Sequence, residues 1–411
     1  MNKTDLIKKL AKLTVNVGVN VTEGQTVVVR SNLESRELTR EIVREAYEAG
    51  ARKVIVDWND EYTSRYSFLH MDDETLQEVP DYVVDRSKYY VDNNASFISV
   101  TSPLIGVNAD LDPKKMQLSM RASQAKLGFM REYTMGNEAP WTIVASSNPI
   151  WAKKVFPNLP ENEAVDALWK AIFDASRVYE GTDPVDEWNK HNETLNKFSK
   201  YLNSFQFEKL HFKNSLGTDL IVGLVKDHIW VGGGETSRKG IYFNPNIPTE
   251  EVFTMPHKLM TEGKVVATKP LHYGGKLIDE FYLEFKDGAV VNFDAKKEKE
   301  ALKSILEFDE NAKYIGEIAL ISDDSPISNT NILFYNTLFD ENASCHMALG
   351  RAYPMNIKGG IGADVKDLEP KGYNNSMVHV DFMFGSKCME IEGITPEGKV
   401  VKIFEKGNFI I

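Results

Sequence analysis

The hydrophobic pattern of this chain changes period near residue 205, and one layered architecture cannot accommodate both patterns. Before that point short apolar runs alternate with helical stripes. Residues 26–30, 53–57, 97–100 and 141–144 read as strands. Residues 5–15 carry Leu6, Ile7, Leu10 and Leu13 at helical spacing, and residues 34–49 carry Leu38, Ile42, Val43 and Ala46. Strands alternating with helices build a parallel, doubly wound sheet. Residues 160–204 are helix-rich and charged, and are expected to bridge the halves. After about 205 short alternating strands take over, punctuated by Asn214-Ser215-Leu216-Gly217, Lys286-Asp287-Gly288 and Pro396-Glu397-Gly398. These are hairpin signals, and one helix near 296–308 interrupts them. The predicted fold class is therefore a mixture of α/β and α+β. A doubly wound α/β domain with bridging helices occupies 1–204, and a β-rich, largely antiparallel domain occupies 205–411. Two domains are what 411 residues support.

The formal net charge of −12 argues against nucleic acid as the main partner, because phosphate binding needs a basic face. It suits metal cations or a cationic group such as a peptide α-amine. Only two cysteines occur, Cys345 and Cys388. No apolar run of signal-peptide length follows the start, and none reaches the ~20 residues of a membrane span. The expected location is cytoplasmic, with no membrane partner.

Four segments carry candidate chemistry. His379-Val380-Asp381 lies in a strand pattern, and residues i and i+2 of a strand share a face, so an imidazole and a carboxylate project together. Both are usual ligands of zinc, cobalt or manganese, although a lone His-x-Asp is more often a polar strand face. Glu250-Glu251 leads into the apolar run Val252-Phe253-Thr254, where a buried carboxylate is costly unless paired or metal-bound. Glu317 is a single acid in the apolar run 314–321, with only Lys313 near in sequence as a partner. His346 stands among small residues that permit close approach, seven positions before Tyr353; the bland alternative is a core histidine beside a buried cysteine. Together these segments supply enough donors for two divalent metals sharing a bridging carboxylate.

These motifs resemble the aminopeptidase T / aminopeptidase S (PepS, AmpS) family of bacterial metalloaminopeptidases. The resemblance rests on Asn246 to Thr254, the Gly316-Glu317 step, His346 with Tyr353, and His379-Val380-Asp381, in the family's order and across essentially the whole chain. It implies a dinuclear site bound by Glu251, Glu317, His346, His379 and Asp381, with Glu317 as the bridge and Tyr353 assisting catalysis. It also implies a homodimer acting on peptides with free N-termini. The spacing to Glu317 favours Glu251 over Glu250 as the ligand. That leaves Glu250 as a candidate to carry the proton to the leaving amine. Similar ligands would also serve a two-metal phosphoesterase or a non-catalytic metal-binding module, but Arg351 is the main phosphate clamp that the motif neighbourhoods offer. Gly-x-Ser-x-Gly and His-Glu-x-x-His are absent. His257 and His272 match no motif position and read as surface or supporting residues.

Overall fold

The computed structural model describes residues 2–411. Contiguous β-branched residues explain its first sheet. Val27, Val28 and Val29 are fully buried in the strand Thr26–Asn32, as expected of a parallel strand covered on both faces. That strand pairs in parallel with Lys53–Asn59 on one side and Ser96–Thr101 on the other. Trp141–Ala145 pairs with Ser96–Thr101, and Asn246–Ile247 closes the far edge, again in parallel. The amphipathic helix Lys3–Leu13 buries Leu6, Ile7, Leu10 and Leu13; Arg36–Glu48 buries Leu38, Ile42 and Ala46.

The chain divides into two compact units. The first runs to Asn189 and takes in Gly234–Pro248; the second comprises Lys190–Gly233 and Thr249–Ile411. The sequence pattern draws a single division near 205 and assigns 234–248 to the later half. Here that segment returns to the parallel sheet, because Asn246 and Ile247 find their strand partners at Ile143 and Val144. The division at 189/190 falls inside the helix Pro184–Asn203.

The second unit is built from antiparallel strands. A five-stranded sheet runs in the order His379–Met383, His346–Gly350, Ile315–Leu320, Val252–Thr254, Val231–Gly232. A nine-stranded sheet contains the hairpin of Lys276–Lys286 with Ala289–Lys297. Asp287 (φ 50°) and Gly288 (φ 80°) both take left-handed backbone at its tip, the conformation that two-residue hairpin loops demand. The helix Lys299–Leu306 follows. Phe212, Phe281, Ile318, Met347, Phe382 and Phe384 meet in a common apolar core. Phe281 and Phe382 pack with ring centroids 5.4 Å apart. Among the described residues no helix is long and apolar enough to cross a membrane.

The lead-in to the His379 strand is pinned by one carboxylate. Asp309 accepts from the Met377 amide at 2.7 Å, the Ser376 hydroxyl at 2.8 Å and the Asn311 amide at 2.8 Å. Burial would raise this carboxyl, but the hydrogen bonds outweigh it and hold the pKa below the ordinary aspartate value. A depressed folded-state pKa contributes stability above the unfolded value of about 3.9, and that contribution is lost as pH falls through the folded value. Asp309→Ala is therefore expected to lower stability by about 2 kcal/mol at pH 7. In urea unfolding of parent and variant, the difference should persist at pH 5 and shrink only below about pH 4. Equal urea midpoints at pH 7 would show that Asp309 does not hold this segment.

Candidate metal centre

Strand alternation and one bulge place five side chains together. In His379–Met383, Val380 and Phe382 enter the apolar core, so His379 and Asp381 share the opposite face. In His346–Gly350, Met347 and Leu349 enter the core, leaving His346, Ala348 and Gly350 on the other side. Ala348 lies in register between Glu317 and Asp381 of the flanking strands, and Gly350 lies opposite His379. A larger residue at 348 would fill the space between the two acids.

Glu317 owes its direction to an extra residue. Ile315, Ile318 and Leu320 all belong to the core, although strict alternation would send Ile315 to the face of Glu317. The ladder to the neighbouring strand jumps from the Ile315–Leu349 pair to the Glu317–Ala348 pair, so Gly316 is a bulge. A Cβ at Gly316 would come within 2.3 Å of the Gly350 carbonyl oxygen. The bulge keeps both apolar groups inside and turns the carboxylate toward the other donors.

The resulting geometry is closely spaced. His346 Nε2 lies 3.3 Å from Glu251 Oε2 and 3.4 Å from Glu317 Oε1. His379 Nε2 lies 3.6 Å from Glu317 Oε2 and 3.3 Å from Asp381 Oδ1. The residues thus form two triads, Glu251–Glu317–His346 and Glu317–His379–Asp381, that share Glu317. These separations exceed the ~2.7–2.9 Å of a charge-assisted hydrogen bond. They match the edge of a donor tetrahedron, since two ligands ~2.0–2.1 Å from one ion lie roughly 3.3–3.4 Å apart. The Asp381 oxygen that faces His379 is buried and makes no hydrogen bond. His379 donates from Nδ1 to the Arg351 carbonyl at 2.7 Å, which leaves Nε2 as the ring atom that faces the acids. The donor set fits divalent cations.

Electrostatics point the same way. Burial pushes the Glu317 carboxyl up against the opposing bond from His346. Burial, then Asp381 and Glu251, push Glu341 well above the ordinary range. Burial alone would lower both histidines. Glu251 and Glu317 instead hold His346 well above its ordinary value, and Asp381 leads the charges that take His379 to about 10. Burial would also raise Asp381, but His379 holds it down. The group demands positive charge, which protons supply in part and divalent cations would supply fully.

Glu341 is the residue that sequence reasoning missed. It interacts with Asp381, Glu251, His346 and Glu317 and lines a cavity together with Asp381. The only sequence signal was the acidic pair Asp340-Glu341 five residues before His346. Glu250 goes elsewhere. It is buried, but its carboxylate lies 3.8 Å from His191, and it belongs to neither triad. Tyr353 packs against His379 with ring centroids 4.7 Å apart. Burial, then Glu317 and Asp381, raise its phenol well above the ordinary value, so it remains a donor. Cys345 points into the core, where its thiol meets the Ile321 carbonyl.

Residues 3–409 match the family described as thermophilic metalloprotease (M29). The chain is 43% identical to Aminopeptidase 2 of Geobacillus stearothermophilus, over 98% of this chain and 97% of that one. Wild-type AmpT from Thermus thermophilus has a TM-score of 0.92 at 36% identity, covering 99% of each chain. A 2,5-dihydroxypyridine dioxygenase from Pseudomonas putida KT2440 reaches a TM-score of 0.52 at 12% identity over 99% of this chain and 96% of that one. That likeness concerns the fold alone, and the chemistry has to come from the site. Fold, donor set and relatives define a metal-dependent peptidase, a hydrolase. The chain belongs to the M29 family.

Proposed function

We propose that this chain is an aminopeptidase that removes single residues from peptides with a free N-terminus. Two divalent cations, zinc, cobalt or manganese, would be held by Glu251, Glu317, His346, His379, Asp381 and Glu341, with Glu317 as the bridge. One observation carries the reading: the two oxygens of Glu317 face different imidazoles, 3.4 Å and 3.6 Å away. The charge count agrees. Four carboxylates balance two divalent ions with both histidines neutral, as metal ligation requires.

Bound cations would polarise the scissile carbonyl and lower the pKa of a water toward neutrality. The chain's own residues supply the rest. The Arg351 carbonyl fixes the His379 tautomer, and the ring of Tyr353 rests on His379. The phenol feels the charges of Glu317 and Asp381, and in this reading its hydroxyl would donate to the oxygen on which charge develops. Glu250 pairs with His191 outside this group, and the proposal gives it no proton to carry. In the same reading the enzyme is a cytoplasmic homodimer.

The test uses a tripeptide and its N-acetylated twin, before and after exhaustive chelation. The free peptide should be shortened from its N-terminus and the twin should resist. Chelation should end the reaction, and cobalt, zinc or manganese should restore it. Full activity at zero metal content, or rapid cleavage of the twin, would overturn the proposal.

A further inference from the structure

Glu317, His346, His379 and Asp381 stand on strands, and the ladders fix their backbones. Glu317 lies opposite Ala348, His346 between Ala319 and Met383, and His379 and Asp381 opposite Gly350 and Ala348. Glu251 and Glu341 have no such support. Glu251 comes one residue before the strand Val252–Thr254, and Glu341 opens the single turn Glu341–Ala343. Backbone outside a sheet needs other hydrogen bonds if its side chain is to be held as closely as a cation requires.

One side chain serves both. Asn342 is wholly buried. It follows Glu341 in sequence, and its Oδ1 accepts from the Glu250 amide at 2.8 Å, the peptide group just before Glu251. The carbonyl of that same peptide group, on Thr249, meets His191 Nε2 at 2.7 Å, so the group is held at both of its polar ends. On its other side the Asn342 carboxamide donates from Nδ2 to the Leu338 carbonyl at 3.2 Å, and Nδ2 stands 3.5 Å from Glu341 Oε1. These partners fix which way the carboxamide faces, because a backbone N–H can only donate and a carbonyl only accept.

We infer that Asn342 is a positioning residue: its carboxamide ties the peptide before Glu251 to the turn of Glu341, and so fixes how those two carboxylates stand to one another in the metal centre. The inference rests on the metal-dependent reading above. An asparagine buried only for the sake of the fold would contribute stability and leave cation affinity alone. One that joins two ligands acts on affinity, because carboxylates left free to move have to be ordered again when a cation binds. Asn342→Ala removes the joint and leaves the Glu250 amide without this acceptor. Asn342→Asp keeps an acceptor for that amide, but turns a second oxygen, in place of the donor, toward the Leu338 carbonyl and Glu341.

The probe is cobalt, whose visible absorption follows the geometry of its ligands. The full-length parent, Asn342→Ala and Asn342→Asp are stripped of metal, checked for folding by thermal melting, and titrated with cobalt against a competing chelator. Aspartate, close to asparagine in shape, keeps the test open should alanine fold poorly. Folded variants should bind cobalt roughly 10–100-fold more weakly than the parent, with an altered visible spectrum. Folded variants with the parental cobalt affinity and spectrum, whatever their metal-free melting temperature, would overturn the inference and leave the aminopeptidase reading standing. Cobalt binding is read without substrate, so a parent that takes up cobalt but leaves free tripeptides intact would remove the peptidase reading alone, and the titration would still decide the role of Asn342. A parent that binds no cobalt would remove both.

Discussion

Glu317→Ala is expected to reduce hydrolysis by roughly 10³-fold or more, and to do so by emptying the centre of cations as well as by removing a catalytic contact. Its two oxygens face separate histidines, so the variant loses a donor from both triads at once. Glu251→Ala or Asp381→Ala removes a donor from one triad only and should do less harm. Thermal unfolding gives a readout independent of turnover. Ions that bind only the folded state stabilise it by about 4 kcal/mol at a thousandfold excess over Kd. The parent should therefore melt markedly higher with metal than without, and Glu317→Ala should show little of that gain. The metal-free variant should melt no lower than the metal-free parent, because a buried carboxylate crowded by Asp381 and Glu251 has been removed. Parental metal stoichiometry and rate in this variant would refute the bridge.

Tyr353→Phe should separate turnover from metal binding. The substitution removes one oxygen and keeps the ring that packs 4.7 Å from His379 and 6.2 Å from Phe253. A donor aimed at charge that appears only in the transition state contributes little to substrate binding. The expected result is a fall in kcat of roughly 10²–10³, about 2.7–4 kcal/mol, with KM and metal content near the parental values. A kcat within a few-fold of the parent, in protein holding its full metal complement, would reduce Tyr353 to a packing residue.

Much of the architecture was legible because the signals were local. Val27-Val28-Val29 and Phe97-Ile98 put apolar side chains on both faces of their strands, and only a sheet covered on both sides suits them. The Asp287-Gly288 pair announces its hairpin because both positions need left-handed backbone. At the centre, the five residues drawn together are those whose charge sits oddly in an apolar or small-residue context. Glu341 escaped notice because its context is ordinary: Asp340-Glu341-Asn342 reads like any polar turn, and only the fold brings it to Asp381. The bulge at Gly316 was equally silent. A glycine before a glutamate says nothing about parity until the partner strand shows which residue is unpaired. The return of Asn246–Ile247 to the parallel sheet involves a two-residue strand, too short for any periodicity to register. The destination of Glu250 was hidden for a related reason. Adjacent acids differ in direction by half a pleat, and His191 lies far away in the chain.

That brief return has a practical result for anyone who tries to divide the molecule. Residues 234–248 belong with the first unit, and the chain resumes the second at Thr249, two residues before Glu251. A gene fragment ending at Asn189 would encode the parallel sheet without its edge strand. One beginning at Lys190 would carry fifteen residues whose partners are missing, immediately upstream of a proposed ligand. Neither half should be recoverable as an active piece by a single cut. A nicked pair with its break between Gly234 and Pro248 would have to reassociate before it could bind metal, which makes metal uptake a direct report on reassembly.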